Sequence, residues 1–131
     1  MRNIRNILLY SCLALVIVGC ATSETVKEAK GQGTIRVYPY SYDVLFQATL
    51  DAAAKHKLQV VEQDKSNKTI MLSHGTTWMS WGENIAVFFK ELAANSTEVE
   101  IVMKPVMQPL NFPKEWEKIL HEQIASDLKQ K

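Results

Sequence analysis

Residues 34–64 read TIRVYPYSYDVLFQATLDAAAKHKLQVVEQD, and the change of hydrophobic period along this stretch decides the fold. The first five residues alternate. Ile35 and Val37 share one face and Arg36 takes the other, which is the two-residue period of a strand. Pro39 has no N–H for a ladder and ends it. From Ser41 the period lengthens. Leu45, Ala48, Leu50, Ala52 and Ala53 fall on one side of a helix. Ser41 stands where a cap belongs, Asp43 suits the positive end of the helix dipole, and Lys55, His56 and Lys57 suit the negative end. LQVVEQD at 58–64 returns to a strand. A helix apolar on one side between two strands must lie on a sheet.

The rest of the chain extends that sheet. Lys65, Ser66, Asn67 and Lys68 are turn residues that lead into TIMLSH, which makes a hairpin. GTTWMSWGEN is a longer connection. IAVFFKEL reads as a strand with Ile85, Val87 and Phe89 on one face. After the turn AANS, TEVEIVMK alternates most clearly: Val99, Ile101 and Met103 face in, Glu98 and Glu100 face out. Pro105, Pro109 and Pro113 punctuate a crossing loop. Trp116, Ile119, Leu120, Ile124 and Leu128 then mark a second amphipathic helix. The order β-α-β-β-β-α predicts an α+β two-layer sandwich, a mostly antiparallel sheet of four to five strands with two helices on one face. Arg36, Val61, Met71, Phe88 and Val102 fall on the face away from the helices. If they line up, the patch is apolar enough to want a partner or a second copy of the chain.

Upstream of residue 34 the sequence changes character. Arg2 and Arg5 precede ILLYSCLALVIV, twelve residues with Ser11 the one clearly polar member. This is a secretory signal pattern, and it is short of the ~20 apolar residues that cross a bilayer. Its exit, Ile17-Val18-Gly19-Cys20, resembles the lipobox of bacterial lipoproteins. That resemblance implies cleavage between Gly19 and Cys20 and a diacylglyceryl thioether on the Cys20 sulfur. Two or three acyl chains, at about 0.8 kcal/mol per buried CH₂, hold a protein on a membrane essentially permanently. Ala21, rather than Asp, follows the cysteine, which favours the outer membrane, periplasmic side, in a Gram-negative envelope. Residues 1–19 are thus expected to be a signal peptide, 20–32 a lipidated cysteine and flexible tether, and 33–131 a single periplasmic domain. A twelve-residue coil spans roughly 20 Å, at about 5–6 Å times the square root of its length.

Composition narrows the function classes. The chain has 15 Lys+Arg and 14 Asp+Glu; without Arg2 and Arg5 the balance is 13 against 14. Such a chain sets no basic footprint, and nucleic acid is not an expected partner. The two cysteines are Cys12, within the leader, and Cys20, so a packed core rather than a disulfide must hold the mature domain.

The motifs of catalysis are not in the sequence. His56, His74 and His121 stand at no metal-ligand spacing, and His74 reads as an ordinary surface residue at a strand end. No G-x-S-x-G occurs past the tether. Glu98 and Glu100, at i and i+2, mimic a glycosidase pair but read as a solvated strand face. Gly31-Gln32-Gly33 reads as tether rather than phosphate loop. No metal, cofactor or catalytic residue is assigned. The stretch with functional tension is TTWMSWGEN. Trp78, Met79 and Trp81 are candidate contacts for a protein partner or small ligand, against the plainer reading that Trp81 folds back onto the core and Gly82 makes a bulge.

Taken together, the lipobox, the polar tether, VYPYSYDVLFQATLDAAAKHKLQVVEQD, the aromatic-Gly connection and the TEVEI strand resemble small bacterial lipoproteins of unknown function. The architecture also resembles the helix-grip domains of lipoprotein C of the outer-membrane β-barrel assembly machinery. That second likeness is one of fold and implies no activity. The expectation is a non-enzymatic, membrane-anchored interaction module with an envelope protein as partner. The alternative is a lipid- or glycan-binding lipoprotein that uses a groove between helices and sheet.

Overall fold

The computed structural model describes residues 23–76, 81–107 and 114–131. The elements are α1 (Ser23–Glu28), β1 (Thr34–Tyr38), α2 (Tyr42–Lys55), β2 (Gln59–Asp64), β3 (Thr69–His74), β4 (Glu83–Ala93), β5 (Ser96–Pro105) and α3 (Trp116–Lys129). The expected α+β sandwich is present. Its sheet has five antiparallel strands in the order β1-β5-β4-β3-β2. From β2 to β5 the chain meanders between neighbours, and β1 pairs along the far side of β5. The two strands joined by α2 are therefore the two edges of the sheet. At 1.5 Å per residue, the 14 residues of α2 span about 21 Å. Four gaps between strands of about 4.8 Å make roughly 19 Å. The helix is as long as the sheet is wide, which is what this connection requires.

Local chemistry sets the ends. Ser41 holds the N-cap position of α2 with extended backbone, although its hydroxyl makes no capping bond. At the other end Lys57 N–H donates to Ala54 O and Leu58 N–H to Ala53 O, with Lys57 at φ 56°. This is the Schellman pattern with a lysine where glycine is usual. In the β2–β3 turn, Asp64 accepts from the Asn67 backbone N–H and from its side-chain amide. The backbone bond from Asn67 leads in holding the Asp64 carboxyl below its ordinary range.

The main core lies between the sheet and α2 with α3. Leu45, Ile70, Ile85, Ile101, Leu120 and Ile124 are fully enclosed there, with Trp116 at one end. Beside them Tyr38 ties the edge strand to α3. Its hydroxyl lies 2.8 Å from His121 Nδ1, and His121 Nε2 lies 2.9 Å from the Thr34 carbonyl. A carbonyl can only accept, so Nε2 carries the proton and Nδ1 accepts from the tyrosine. Burial pushes the His121 pKa down, keeping the ring neutral.

This tie reverses one expectation. Tyr38, Arg36 and Thr34 point to the helices, so Arg36 is not on the far face; Ile35 and Val37 are, 49% and 56% exposed. The tyrosine hydroxyl finds its partner on α3, and strand alternation carries its neighbours with it. Val61, also placed on the far face, stands exposed at the β-bulge of edge strand β2.

A second correction concerns the tether. Residues 23–33 are not a free coil. Helix α1 lies on the far face of the sheet, where Val26 and Ala29 are buried against Met71, Ala86, Phe88 and Val102. The apolar patch anticipated at Met71, Phe88 and Val102 is real, and the chain covers it itself. Lys27 reaches Glu62 of β2 at 2.8 Å. The turn after α1 is fixed by Glu100, whose Oε1 accepts the Gly31 and Gly33 N–H groups at 2.5 and 3.1 Å. Glu100 is 6% exposed, so it is not part of a solvated strand face. Gly31 takes φ 90°, and a Cβ on Gly33 would sit 2.3 Å from the Ile101 carbonyl oxygen. The segment approaches β5 as closely as only glycine allows.

Two outcomes test these assignments. A chain starting at Gly33 should melt lower than one starting at Ala21 and should bind a hydrophobic dye at the bared outer face; equal melting and no dye binding would mean α1 is dispensable. For His121 the folded-state pKa lies below the ordinary 6.5, so its contribution is complete above about pH 6.5 and declines as the pH falls toward the lowered value. Asp64 and Asp127, whose pKa values are lowered from 3.8, lose their contribution in a separate window below that. His121→Leu should cost about 1–3 kcal/mol at pH 7.5 by removing the imidazole donor to Thr34 O and leaving the Tyr38 hydroxyl only the backbone carbonyl of residue 121. It should also flatten the fall in melting temperature between pH 6.5 and 5.

Candidate functional site

Of the residues picked out in the sequence, Gly19, Cys20, Trp78 and Met79 lie outside the described residues. Trp81 is described, and it does not fold back onto the core: it is 55% exposed. It precedes Gly82, whose φ of 98° turns the chain into β4, and a Cβ there would lie 2.7 Å from the His74 carbonyl oxygen. The Gly82 carbonyl accepts the Val106 N–H at 2.9 Å, joining the entry of β4 to the exit of β5. Met107, 51% exposed, follows at once. An exposed indole and an exposed thioether thus flank one backbone bond at the end of the sheet from which α3 departs.

Beneath them is a buried polar cluster that the sequence did not signal. Glu83, the first residue of β4, is 1% exposed. Its Oε2 lies 2.7 Å from His74 Nδ1 and 3.4 Å from the indole Nε1 of Trp116. The His74 ring packs on Trp116 with centroids 5.0 Å apart. From the other side His56 meets the same indole edge-on at 6.0 Å and bonds Gln123 at 3.2 Å. Lys114 Nζ stands 5.2 Å above it. His74 is therefore no ordinary surface residue; its side chain is 16% exposed. Strand register explains this, because His74 pairs directly with Glu83 across the β3–β4 ladder. Nothing in the local sequence marks a pairing across a connection eight residues long.

A carboxylate oriented on an imidazole is two-thirds of an acyl-transfer triad. The missing third is a nucleophile, and among the described residues no hydroxyl or thiol bonds His74. Its ring faces Trp116, so the cluster acts as a tie: Glu83 fastens β3 to β4 and both to the start of α3. Among the described residues no three His, Cys, Asp or Glu side chains converge as a metal site. The Glu98–Glu100 pair does not act together, since Glu100 is occupied by the turn after α1.

The space between helices and sheet, where a ligand groove was anticipated, is filled in the described residues by the main core. A shallow groove lies instead between α2 and α3, lined by Ala48, Asp51, Ala54, Lys55, Asp127 and Leu128. Lys55 Nζ bonds Asp127 at 2.6 Å there, and that bond leads in holding the Asp127 carboxyl below its ordinary range. The groove thus carries an ion pair beside the apolar side chains of Ala48, Ala54 and Leu128.

Known proteins bear on the fold more than on the chemistry. Among solved structures the chain is similar to the adenylate sensor from AMP-activated protein kinase, crystallised in complex with 5-aminoimidazole-4-carboxamide 1-β-D-ribofuranotide. The TM-score is 0.51 with 14% identity over 72% of this chain and 95% of that one. It is also similar to Ara h 8.0201, at TM-score 0.41 and 10% identity over 75% and 96% of the two chains. At such identity the first likeness is one of fold alone. None of the curated proteins matches the sequence. Residues 2–104 match the family described as protein of unknown function DUF3568, and the chain belongs to that family.

Proposed function

We propose that this protein is a lipid-anchored component of a bacterial envelope that works by contact with another envelope protein rather than by catalysis. The observation that carries the anchor is the leader ending in Ile17-Val18-Gly19-Cys20. The family match begins at residue 2 and runs through that leader and Cys20, so the segment falls within what the match covers. The apolar run is too short for a span, and among the described residues no helix is long and apolar enough to cross a membrane. Ala21 after the cysteine favours the outer membrane.

The contact reading is supported by the end of the sheet at Trp81 and Met107. Large amphipathic side chains held by a rigid frame bury much area at little entropic cost when a partner arrives. Trp81 is held by Gly82 and the Glu83 tie beneath it, while its own ring stays in solvent.

Two linked experiments test this reading. Cell fractionation should place the natural chain in the membrane and Cys20→Ser in the soluble fraction; a membrane-bound Cys20→Ser would contradict the anchor. A photo-crosslinking residue at position 81 in the anchored chain should give one discrete protein adduct, and the same residue at Gln47 on α2 should give none. Adducts at neither position, or the same ones at both, would contradict a contact surface at Trp81.

A further inference from the structure

We propose that the outer sheet face, which carries α1, is the face this domain turns to the bilayer, with α2 and α3 directed away from it. The inference rests on the lipid anchor at Cys20 argued above. It adds an orientation, which a lipid anchor alone does not supply.

The reasoning starts from covalent reach. Ala21 and Thr22 separate Cys20 from Ser23, the first residue of α1. Three Cα–Cα steps cover at most about 11 Å. With residues 21–32 as a free coil, the domain could present any side to the membrane. The docked segment removes that freedom. Val26 and Ala29 are buried on Met71, Ala86, Phe88 and Val102; Lys27 is paired with Glu62; the Gly31 and Gly33 amides are held by Glu100. The lipid-bearing residue therefore stays within about 11 Å of a helix fixed to the outer face. The solvent side of α2 and α3 lies beyond the sheet and a further helix diameter of about 10–12 Å.

The chemistry of the two sides agrees. Ile35 and Val37 stand exposed on the outer face of β1, next to the turn that follows α1. Lys30, Lys90 and Lys104 belong to the same face, Lys30 over the Phe88 ring and Lys104 bonded to Gln32, with Glu98 between Val37 and Lys90 in the strand register. Branched apolar side chains among lysines, whose aliphatic stems tolerate an apolar boundary while the ammonium stays wet, suit a lipid headgroup layer. Gln47, Asp51, Glu122 and Ser126 occur along the two helices behind the sheet.

The sequence makes the test clean. Cys12 belongs to the leader and the Cys20 sulfur would be taken by lipid, so any introduced cysteine is the one free thiol of the mature chain. Val37→Cys and Lys90→Cys report the outer face, and Gln47→Cys and Glu122→Cys report the helices; all four positions are exposed. Each full-length, processed chain is labelled with an environment-sensitive fluorophore. It is then reconstituted in phosphatidylethanolamine–phosphatidylglycerol vesicles that carry headgroup nitroxides. Quenching should be several-fold stronger at 37 and 90 than at 47 and 122. Equal quenching on both faces, or stronger quenching on the helices, overturns the orientation. Mass spectrometry of the same samples separates the two ideas. An unlipidated Cys20 overturns the anchor and the orientation with it. A lipidated Cys20 with even quenching overturns the orientation alone.

Discussion

A sheet with apolar side chains on both faces needs two covers, and among the described residues the two long amphipathic helices both lie on one face. That constraint organises the molecule. Helices α2 and α3 take the inner face and enclose Ile70, Ile85, Ile101 and their neighbours. Met71, Ala86, Phe88 and Val102 remain on the other side, in the middle strands where an uncovered patch would draw aggregation. The cover is the six-residue α1 with the residue that follows it, which contribute little more than Val26 and Ala29. So small a helix cannot hold itself in place. Glu100 does it, with two backbone amides on one carboxylate oxygen, and glycine at 33 lets the backbone come close enough.

Joining the proposed anchor to the fold in this way has a mechanical consequence. A lipoprotein domain on a coil explores a hemisphere of radius set by the coil. With α1 beginning three residues after Cys20, a domain anchored there as proposed has little left to explore. The same segment that completes the core also sets how the domain is presented. Under the proposed anchoring, Trp81 and Met107 project from one end of a body with a fixed bearing on the membrane, which suits contact with a neighbour held in the same membrane.

Much of the fold was legible because alternation and helical spacing are strong signals. TEVEIVMK and the α2 and α3 faces emerge where the periodicity puts them. Less legible was which way an edge strand faces. Ile35 and Val37 alternate with Arg36 equally well in either sense, and the decision is made by Tyr38, whose hydroxyl is satisfied by His121 from eighty-three residues away. The strap escaped for a related reason. Val26 and Ala29 are a single i, i+3 pair in a polar run, too few to establish a period. The one hint was the apolar outer patch itself, since a patch of that kind implies a cover. Glu83, His74 and Trp116 meet through strand register and the packing of α3 on the sheet, which no local pattern encodes.

The claim on which this account turns is that residues 23–33 are part of the folded body. Amide hydrogen exchange on the anchored, processed chain tests it directly. The Gly31 and Gly33 amides, bonded to the buried Glu100 carboxylate, should exchange at least about a hundredfold more slowly than the same amides in an unstructured chain. Glu100→Ala should return both to the unstructured rate while leaving the β4–β5 ladder protected. Exchange of Gly31 and Gly33 at the unstructured rate in the natural chain would show the segment to be a free tether after all.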